Sequence, residues 1–136
     1  MDCIFCAIVA DDVPSSRVYE DERVIAFMDI RPATPGHVLV VPKAHAADLG
    51  ELDPIDAERM MTVAQAIARG LRKSTIPSDG INLFLSDGEA AGQEVLHSHL
   101  HVVPRTPGDG FVVRANYHAP DRAELDALAN ALRAAL

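Results

Sequence analysis

The stretch His97-Ser98-His99-Leu100-His101-Val102-Val103 places three of the six histidines of the chain at alternate positions. In a β-strand, side chains at i, i+2 and i+4 point to the same face at steps of about 6.6 Å. The spacing therefore predicts a strand, from Val95 to Val103 and ended by Pro104, that carries a row of three imidazoles on one surface.

Such a row suits two kinds of chemistry. Two histidines at i and i+2 on a strand, with a third elsewhere, can hold a catalytic zinc ion that activates a water molecule. Alternatively, one imidazole attacks phosphorus as a nucleophile while a neighbouring group protonates the leaving group. A single histidine such as His45 or His118 is more often an ordinary surface or core residue, but three in a row favour a functional site. The residues alone leave both chemistries open.

The segments around this strand predict the rest of the fold. Asp53 as N-cap and Pro54 at the first helical position begin a long helix, whose apolar residues continue at helical spacing to Leu71. Strands joined by short turns, with one long helix between two of them, predict an α+β domain with an antiparallel sheet. The other predicted strands are Arg17 to Glu20, Val24 to Met28, His37 to Val41 and Ile81 to Leu85, and the loop Ser86 to Gly92 precedes the histidine strand.

Two further segments lie near the ends of the chain. Ile4 to Ala10 is short and apolar, which predicts a first short helix or a turn. Asp121-x-x-Glu124 is an acidic capping pattern that begins a C-terminal helix. We expect the apolar stripe of this helix to pack either on the domain or on a partner subunit; it consists of Leu125, Leu128, Ala129, Leu132 and Leu136.

The composition argues against several classes of protein. A length of 136 residues with 49% apolar content fits one domain with its own core. A formal net charge of −8, with no basic cluster longer than Arg72-Lys73, argues against general nucleic-acid binding. There is no run of about 18 apolar residues and no basic start followed by an apolar run. We therefore expect neither a membrane span nor a signal peptide, and a cytoplasmic location.

The only cysteines, Cys3 and Cys6, are separated by two residues. In a reducing compartment, such a pair is more typical of metal ligands or a redox pair than of a structural disulfide. A thioredoxin-like motif is expected between a strand and a helix, and a position three residues into the chain does not fit it.

The sequence resembles the histidine triad (HIT) family. The stretch from His97 to Val103 matches the His-φ-His-φ-His-φ-φ signature of that family, with Ser98 as the one non-apolar departure. Further matches are Asp29-Ile30-Arg31-Pro32, Gly36 to His45 and Gly92-Gln93-Glu94-Val95. The likeness covers about Cys3 to Phe111.

The resemblance implies a HIT-like five-stranded antiparallel sheet with one long helix, a short N-terminal helix and a C-terminal helix. We expect a single HIT domain over residues 1–136, with a core over 3–111 and a C-terminal extension with a helix over 112–136. Family members of this size usually form two-fold dimers, so the resemblance also implies a homodimer. The central helix and the C-terminal leucine stripe offer apolar surface for such a contact.

By the resemblance, the middle histidine of the row, His99, is the nucleophile that forms a covalent nucleotidyl intermediate. His101 contacts the phosphate and the leaving-group side, and His37, on a neighbouring strand, supports the row by hydrogen bonding. Gln93 matches a position that contacts phosphate, and we expect it, with the backbone N–H groups beside Gly92, to place donors on the charge that develops in the transition state. The implied catalytic residues are His99, His101, His37 and Gln93.

The same matches imply a site for a purine nucleotide with an AMP-like product. Asp29 resembles the carboxylate that accepts the ribose hydroxyls. Ser86 stands where many relatives have Asn, and Glu94 stands where some have Ser, so the chain departs from the family pattern at both positions. The implied nucleotide-binding residues are Asp29, Ser86, Gly92, Gln93, His99 and His101, with apolar walls around the base at Phe5, Phe27, Ile30 and Leu39, residues that are also ordinary core by type.

Cys3, Cys6, His45 and His97 together resemble the zinc site of one branch of the family. Two thiolates and two imidazoles suffice for a closed tetrahedral site, and closed zinc sites are structural. Structural zinc would pin the N-terminus to the sheet and orient the strand that carries His99. The alternative is that both cysteines are free thiols beside histidines that bind no metal.

The leading hypothesis is a HIT-type hydrolase or nucleotidyl transferase that cleaves at the α-phosphate of a purine nucleoside phosphoramidate or a dinucleoside polyphosphate. The segment from Pro104 to Phe111 resembles the dinucleoside polyphosphate branch, whereas the compact length and the cysteine pair resemble the phosphoramidase branch. Two alternatives stay open: a nucleotide-binding regulatory protein with negligible turnover, and a zinc-dependent hydrolase that uses the histidine row as ligands.

Overall fold

The computed structural model describes residues 2–136, and Met1 lies outside the described part. Five strands form one antiparallel sheet in the order β1-β2-β3-β5-β4. The fold confirms the predicted α+β class with a short N-terminal helix, one long helix and a C-terminal helix. In chain order the elements are α1 (Ile4–Val9), β1 (Arg17–Glu20), β2 (Val24–Met28), β3 (Val38–Pro42), α2 (Pro54–Lys73), β4 (Gly80–Leu85), β5 (Leu100–Arg105) and α3 (Arg122–Ala135).

The three central strands, β2, β3 and β5, are buried on both faces because a helix covers each face. Successive side chains of a strand point to opposite faces, and here both sets are apolar. The face under α2 is formed by Val24, Ala26, Val38, Val40, Leu100 and Val102, which pack with Met60, Val63, Ala64 and Leu71 of that helix. The opposite face is formed by Ile25, Phe27, Leu39 and Val41, which pack with Phe5 and Ile8 of α1.

The long helix begins where the sequence predicts. The Asp53 carboxylate accepts a hydrogen bond from the Ile55 N–H at 2.8 Å, and Pro54 occupies the first helical position, where a missing N–H costs nothing. An ion pair of 2.6 Å then joins the buried Asp56 of α2 to Arg23 in the turn before β2. This contact attaches the first hairpin to the helix that covers it.

The histidine strand differs from its predicted bounds. It runs over Leu100–Arg105 instead of Val95 to Val103, so His97 and His99 precede β5 and Pro104 lies inside it. The strand begins late because the Ser98 N–H donates to Ala46 O at 2.6 Å, in the loop after β3, instead of to a neighbouring strand. Pro104 fits in the strand because its backbone nitrogen and carbonyl point away from β4. The carbonyl accepts from Thr34 Oγ1 at 2.7 Å, and the nitrogen, which has no proton to donate to a ladder, faces the same side as the carbonyl.

A tight turn at Pro35-Gly36 delivers His37 to the start of β3. Gly36 has φ of +92°, in the left-handed region that disfavours other residues. A Cβ added at Gly36 would lie 2.7 Å from Ile76 Cγ2 and 3.2 Å from Pro104 Cγ. The turn therefore depends on glycine for its conformation and also for its close approach to the β5 side of the sheet.

The C-terminal helix has no buried residue. The Asp121 carboxylate accepts from the Glu124 N–H at 2.8 Å, which confirms the predicted cap. Leu128 and Leu132 are 61% and 62% exposed, so the predicted apolar stripe is not covered by the chain's own sheet. Within residues 2–136, no helix combines the length and apolar character needed to cross a membrane.

Replacing Gly36 by alanine is expected to destabilise the protein, because the new Cβ meets both a left-handed backbone and two side chains. We expect a loss of about 2–4 kcal/mol in the free energy of unfolding, measured by urea denaturation. The matched control is Gly70→Ala in α2, where a Cβ meets nothing within 4 Å. That substitution should stabilise by roughly 0.5–1 kcal/mol, since alanine is the better helix former. Equal effects at the two positions would contradict the close approach at Gly36.

Candidate active site and metal cluster

The three histidines of the row lie on the α1 side of the sheet. His97 is fully buried, His99 is 7% exposed and His101 is half-buried. The rings of His99 and His101 lie 4.9 Å apart, and the ring of Phe5 from α1 meets the rings of His97 and His99 edge-on at 5.9 and 5.1 Å. Only His101 belongs to a strand, but Phe5 contacts both His97 and His99, and His99 contacts His101, so the three rings lie on a common side.

A backbone carbonyl fixes which nitrogen of His99 carries the proton. His99 Nδ1 lies 2.7 Å from the carbonyl oxygen of His97, and because a carbonyl only accepts, Nδ1 must donate. In the neutral ring, the lone pair then resides on Nε2. The arrangement presents a free imidazole nitrogen in the tautomer that a nucleophile needs.

The tautomers of His37 and His101 follow from a similar argument. The Ala33 N–H donates to His37 Nδ1 at 3.0 Å, so the proton of neutral His37 is on Nε2. His37 Nε2 lies 2.9 Å from His101 Nδ1 and donates to it. Neutral His101 must then carry its own proton on Nε2, the atom that faces away from His37. His99 and His101 thus offer a lone pair and an N–H respectively.

Burial favours the neutral form of His37 and of His101. Burial, together with the neighbouring rings of His99 and His37, lowers the pKa of His101 to about 4. Burial also lowers the pKa of His37, against the opposing influence of the Asp29 carboxylate. Both side chains therefore act at neutral pH as one-donor, one-acceptor groups, as the hydrogen-bond chain requires.

Asp29 lies at the end of β2, beside the His37 ring. Its Oδ1 accepts from the Arg31 N–H at 2.8 Å, and its Oδ2 lies 3.6 Å from His37 Nε2. The carboxylate is 19% exposed. The structure therefore brings Asp29 to the histidines and leaves it open to a ligand; its contact with ribose stays a prediction.

The residues predicted to surround a base divide into two groups. Phe5, Phe27 and Leu39 belong to the apolar cluster between α1 and the sheet, and Phe5 and Phe27 meet edge-on at 5.5 Å. Ile30 instead is 94% exposed, because it lies in the bend after β2. Three of the four residues thus lie on the histidine side of the sheet, while Ile30 is not part of an apolar wall within the chain.

The loop before the histidines is closed by the Gln93 side chain. Its amide group donates to Ala47 O at 2.6 Å and Val95 O at 3.1 Å, and its Oε1 accepts from the Gly88 N–H at 2.8 Å. The N–H groups of Gly92 and Gln93 donate to Glu89 O and Gly88 O within the same loop. A phosphate contact by Gln93 requires release of one of these bonds, so this role stays a prediction, as does that of Ser86 at the start of the loop.

Four potential metal ligands converge at the N-terminus. Cys3 Sγ and Cys6 Sγ lie 3.4 and 3.5 Å from His97 Nδ1, Cys6 Sγ lies 3.4 Å from His45 Nδ1, and the two imidazole nitrogens are 3.2 Å apart. With ordinary Zn–N and Zn–S bond lengths, the edges of a tetrahedral site are about 3.3 Å for N–N and about 3.5 Å for N–S. The four donors have the spacing of a closed tetrahedral metal site.

Hydrogen bonding prepares His97 for this role. Its Nε2–H donates to the Pro42 carbonyl at 2.8 Å, which leaves the Nδ1 lone pair pointing at the cluster. Burial and the adjacent Cys3 thiol raise the pKa of Cys6, so the Cys6 thiolate would be costly to form without a cation. The donor set therefore fits a divalent cation better than it fits a pair of free thiols.

A second set of metal-binding residue types, Asp29, His37 and His101, has a different geometry. The 2.9 Å between the His37 and His101 nitrogens is a hydrogen-bond distance and is shorter than the edge of about 3.3 Å between two imidazole ligands of zinc. Within residues 2–136, the three histidines of the row do not converge on one point, since His97 belongs to the cysteine cluster and His101 to the His37 pair.

Sequence reasoning misses one neighbour of the histidines. Phe84 in β4 stacks on His101 with ring centroids 4.2 Å apart and an interplanar angle of 14°. A lone phenylalanine in a short strand has no distinguishing signal. The antiparallel pairing of β4 and β5 across the glycine-containing loop is the only feature that could have placed it opposite His101.

Comparison with known proteins gives the family. The pattern that defines the HIT domain matches residues 10–108. The crystal structure of a HIT family member from Bacillus subtilis superposes with a TM-score of 0.93 at 40% identity, covering 100% of this chain and 98% of that one.

Two other relatives are informative about chemistry. A zinc-bound histidine triad family protein from Mycobacterium smegmatis is 46% identical, with a TM-score of 0.78 and coverage of 100% of this chain and 99% of that one. The adenylylsulfatase HINT3 of Arabidopsis thaliana is 36% identical over 108 residues, which are 79% of this chain and 54% of that protein. On the extent of these matches, the chain belongs to the HIT domain family.

Proposed function

We propose that this chain cleaves a purine nucleotide at its α-phosphate and forms a covalent nucleotidyl intermediate on His99. The observation that carries the proposal is the tautomer of His99, whose Nδ1–H is held by the His97 carbonyl while the Nε2 lone pair is free. An imidazole attacks phosphorus only through an unprotonated nitrogen, so the site is prepared for this step before substrate arrives.

In the first step, the lone pair on His99 Nε2 forms a bond to the α-phosphorus as the bond to the leaving atom breaks. The electron pair of the broken bond departs with the leaving atom. His101 Nε2–H donates a hydrogen bond to that atom. For an amine leaving group it passes on the proton while a proton from solvent replaces it on the ring, so His101 stays neutral. The ring centres of nucleophile and donor lie 4.9 Å apart, so both rings can reach the same phosphoryl group placed beside them.

In the second step, water attacks the same phosphorus and the bond to His99 breaks. One proton of the water is released to solvent, and the electron pair of the N–P bond returns to His99, so both rings end in their starting tautomers. The sum of the two steps is hydrolysis, with a nucleoside monophosphate such as AMP as product. The plant relative is named an adenylylsulfatase, and the reaction in that name is of the same class.

The nucleotide is oriented by the surroundings of the histidines. We propose that Asp29, which is open to solvent beside His37, accepts the ribose hydroxyls, and that the apolar residues near α1 contact the base. Ile30 has 94% of its side chain free to contact a base or a second chain. Whether the leaving group is an amine or a phosphate is decided by the experiments below.

Two other functions predict different behaviour. A zinc hydrolase with the row as ligands requires the three histidines to converge, and their division between two clusters argues against it. A regulatory nucleotide-binding protein would bind substrate but form no adduct. The tautomers of His99 and His101 favour chemistry, since binding alone would not need them.

We also propose that Cys3, Cys6, His45 and His97 hold a structural zinc ion. The spacing of the four donors supports this, as does a zinc-bound relative that is 46% identical. A closed site leaves no position for substrate, so the metal would join α1 to the segment before β5 and keep the His97 carbonyl in place for His99. A reducing compartment such as the cytoplasm suits these thiols, which form no disulfide.

The proposed nucleophile is tested by intact-protein mass spectrometry after rapid acid-free quenching. Wild type mixed with an adenosine phosphoramidate or a diadenosine polyphosphate should gain the mass of one adenylyl group, because the histidine adduct precedes hydrolysis. His99→Ala should form no adduct and should lose at least about 10³-fold in kcat. The substrate that gives the adduct identifies the leaving group.

The control is His118→Ala, an exposed histidine outside the site, which should behave as wild type. Turnover that survives His99→Ala but ends with chelation would establish a metal hydrolase instead. Tight binding without an adduct or turnover would favour the regulatory function.

The zinc proposal predicts that Cys6→Ser lowers the metal content and the stability together. Metal analysis should give one zinc per chain for wild type and much less for the variant, with a loss of at least about 3 kcal/mol in the free energy of unfolding. Adduct formation on His99 should slow but persist, because the metal only orients the backbone. Wild type without bound zinc after purification in zinc-containing medium would contradict the proposal.

We further propose that the chain acts as a homodimer in which residues 112–136 contact a second copy. These residues are about a fifth of the chain, so a TM-score of 0.93 over its whole length requires the B. subtilis protein to hold them in a similar place. A helix without buried residues keeps such a position only if another surface supports it. A groove of about 380 Å³ between α2 and β4, lined by Met61, Ile81 and Leu83, offers further apolar surface for the partner.

Leu128→Glu is expected to weaken the dimer at least about tenfold, because it places a charge in an apolar contact. The measurement is molar mass by light scattering over a dilution series. Asn130→Glu, which adds the same charge two residues further along the helix, is the matched control and should leave the dimer intact. A wild-type monomer at all concentrations would refute the proposed contact.

A further inference from the structure

A column of stacked planar groups leads from His101 to the turn after β5. The ring of Phe84 stacks on His101 at 4.2 Å, and the ring of Phe111 lies parallel to Phe84 at 6.2 Å with an interplanar angle of 13°. The guanidinium group of Arg105 covers Phe111 at 4.7 Å from the ring centre. Three further planar groups therefore continue from the proposed proton donor.

The register of the sheet places two members of this column. Phe84 in β4 and His101 in β5 are direct partners in the antiparallel ladder, so their side chains leave the same face at adjacent positions. Arg105 is four residues beyond His101 in the same strand and thus shares that face. Phe111 returns over the face from the turn that follows β5.

The far end of the column is held by a dense set of bonds. Arg105 donates to both carboxylate oxygens of Asp109 at 2.7 and 3.0 Å, to Asn82 Oδ1 at 2.7 Å and to the carbonyl of Phe111. Asp109 also accepts from the N–H groups of Thr106 and Phe111, both at 3.1 Å. The hydrogen-bonded ion pair raises the pKa of Arg105 and lowers that of Asp109, so both are charged at neutral pH.

The column supplies a restraint that the hydrogen bond from His37 does not. A single bond of 2.9 Å at Nδ1 fixes the tautomer of His101 but lets the ring pivot about that bond. Pivoting would move Nε2–H away from the leaving atom. A ring stacked at 4.2 Å on one face opposes this motion, since a tilt would separate the two faces or make them collide.

We propose that Phe84, supported by Phe111 and the Arg105–Asp109 pair, is a positioning residue that fixes the ring plane of His101 and so aims its Nε2–H at the leaving group. The inference rests on the proposed function, in which that N–H serves the departing atom. It also distinguishes leaving groups: the restraint matters for an amine, which must receive a proton, and matters little for a stable anion, which departs without one.

The test compares two substrates in single turnovers. Adenosine 5′-phosphoramidate with an alkylamine needs the proton at its leaving nitrogen, whereas adenosine 5′-(4-nitrophenyl) phosphate loses a stable phenolate. Phe84→Leu should slow adduct formation about 10- to 100-fold with the amine and less than about twofold with the phenolate. The affinity for AMP should not change, because His101 keeps its place in the sheet.

Two further variants separate positioning from general damage. Phe84→Tyr retains a stacking ring and should restore most of the rate with the amine substrate. In the His101→Ala background, Phe84→Leu should cause no further loss, because the side chain it positions is absent. Phe111→Leu, which removes only the support, should give an intermediate loss, and thermal unfolding checks that each variant is folded.

The outcomes are distinct from those of the proposed function. Suppose that wild type forms an adduct and that Phe84→Leu slows adduct formation with both substrates equally, or with neither. This result would overturn the positioning role and leave nucleotidyl transfer intact. A wild type that forms no adduct would overturn the proposed function. The ¹³C relaxation of the His101 ring then decides about the column: a ring that is rigid in wild type and mobile in Phe84→Leu supports the restraint, and equal mobility in the two proteins refutes it.

Discussion

The hydrogen bond of 2.8 Å from His97 Nε2–H to the Pro42 carbonyl is the contact on which the rest of the site depends. It ties the segment before β5 to the end of β3, in a place where no ladder connects them. It also turns His97 Nδ1 toward Cys3, Cys6 and His45. The carbonyl of the same residue holds His99 Nδ1, so one buried residue serves the metal cluster with its side chain and the proposed nucleophile with its backbone.

Burial explains how a chain with a formal net charge of −8 can present the proposed phosphate site. The site relies on N–H groups of neutral rings in place of a cluster of lysines and arginines. Desolvation lowers the pKa of His37, His97 and His101, so each ring keeps one donor and one acceptor. Backbone groups with only one hydrogen-bonding role then decide which nitrogen is the donor. A charged ring could not be fixed in this way, because both of its nitrogens donate.

The sequence predicts the elements well and their ends less well, for physical reasons that differ by position. The long helix is predictable because Asp53 and Pro54 act locally, within one turn. The start of β5 is not, because it depends on Ser98 reaching Ala46, which is 52 positions earlier in the chain. The histidine spacing identifies the row itself, although only His101 of the three lies in the ladder. The contact of Phe84 with His101 cannot be predicted from the sequence, because it depends on the pairing of β4 with β5.

Different interactions restrain the two ends of the histidine row, and the difference fits the roles proposed for His97 and His101. At the His97 end, four potential ligand atoms lie within 4.8 Å of one another, and the proposed metal would bind strongly and fix the backbone that orients the proposed nucleophile. At the His101 end, stacking of 0.5–1.5 kcal/mol per aromatic pair, roughly, restrains a ring plane without taking either of its nitrogens. A metal ligand at His101 would lose the lone pair or proton that the leaving group requires. Planar stacking restrains the ring and leaves its proton donor free. This accounts for the position of an apolar phenylalanine, instead of a polar residue, directly opposite His101 in the ladder.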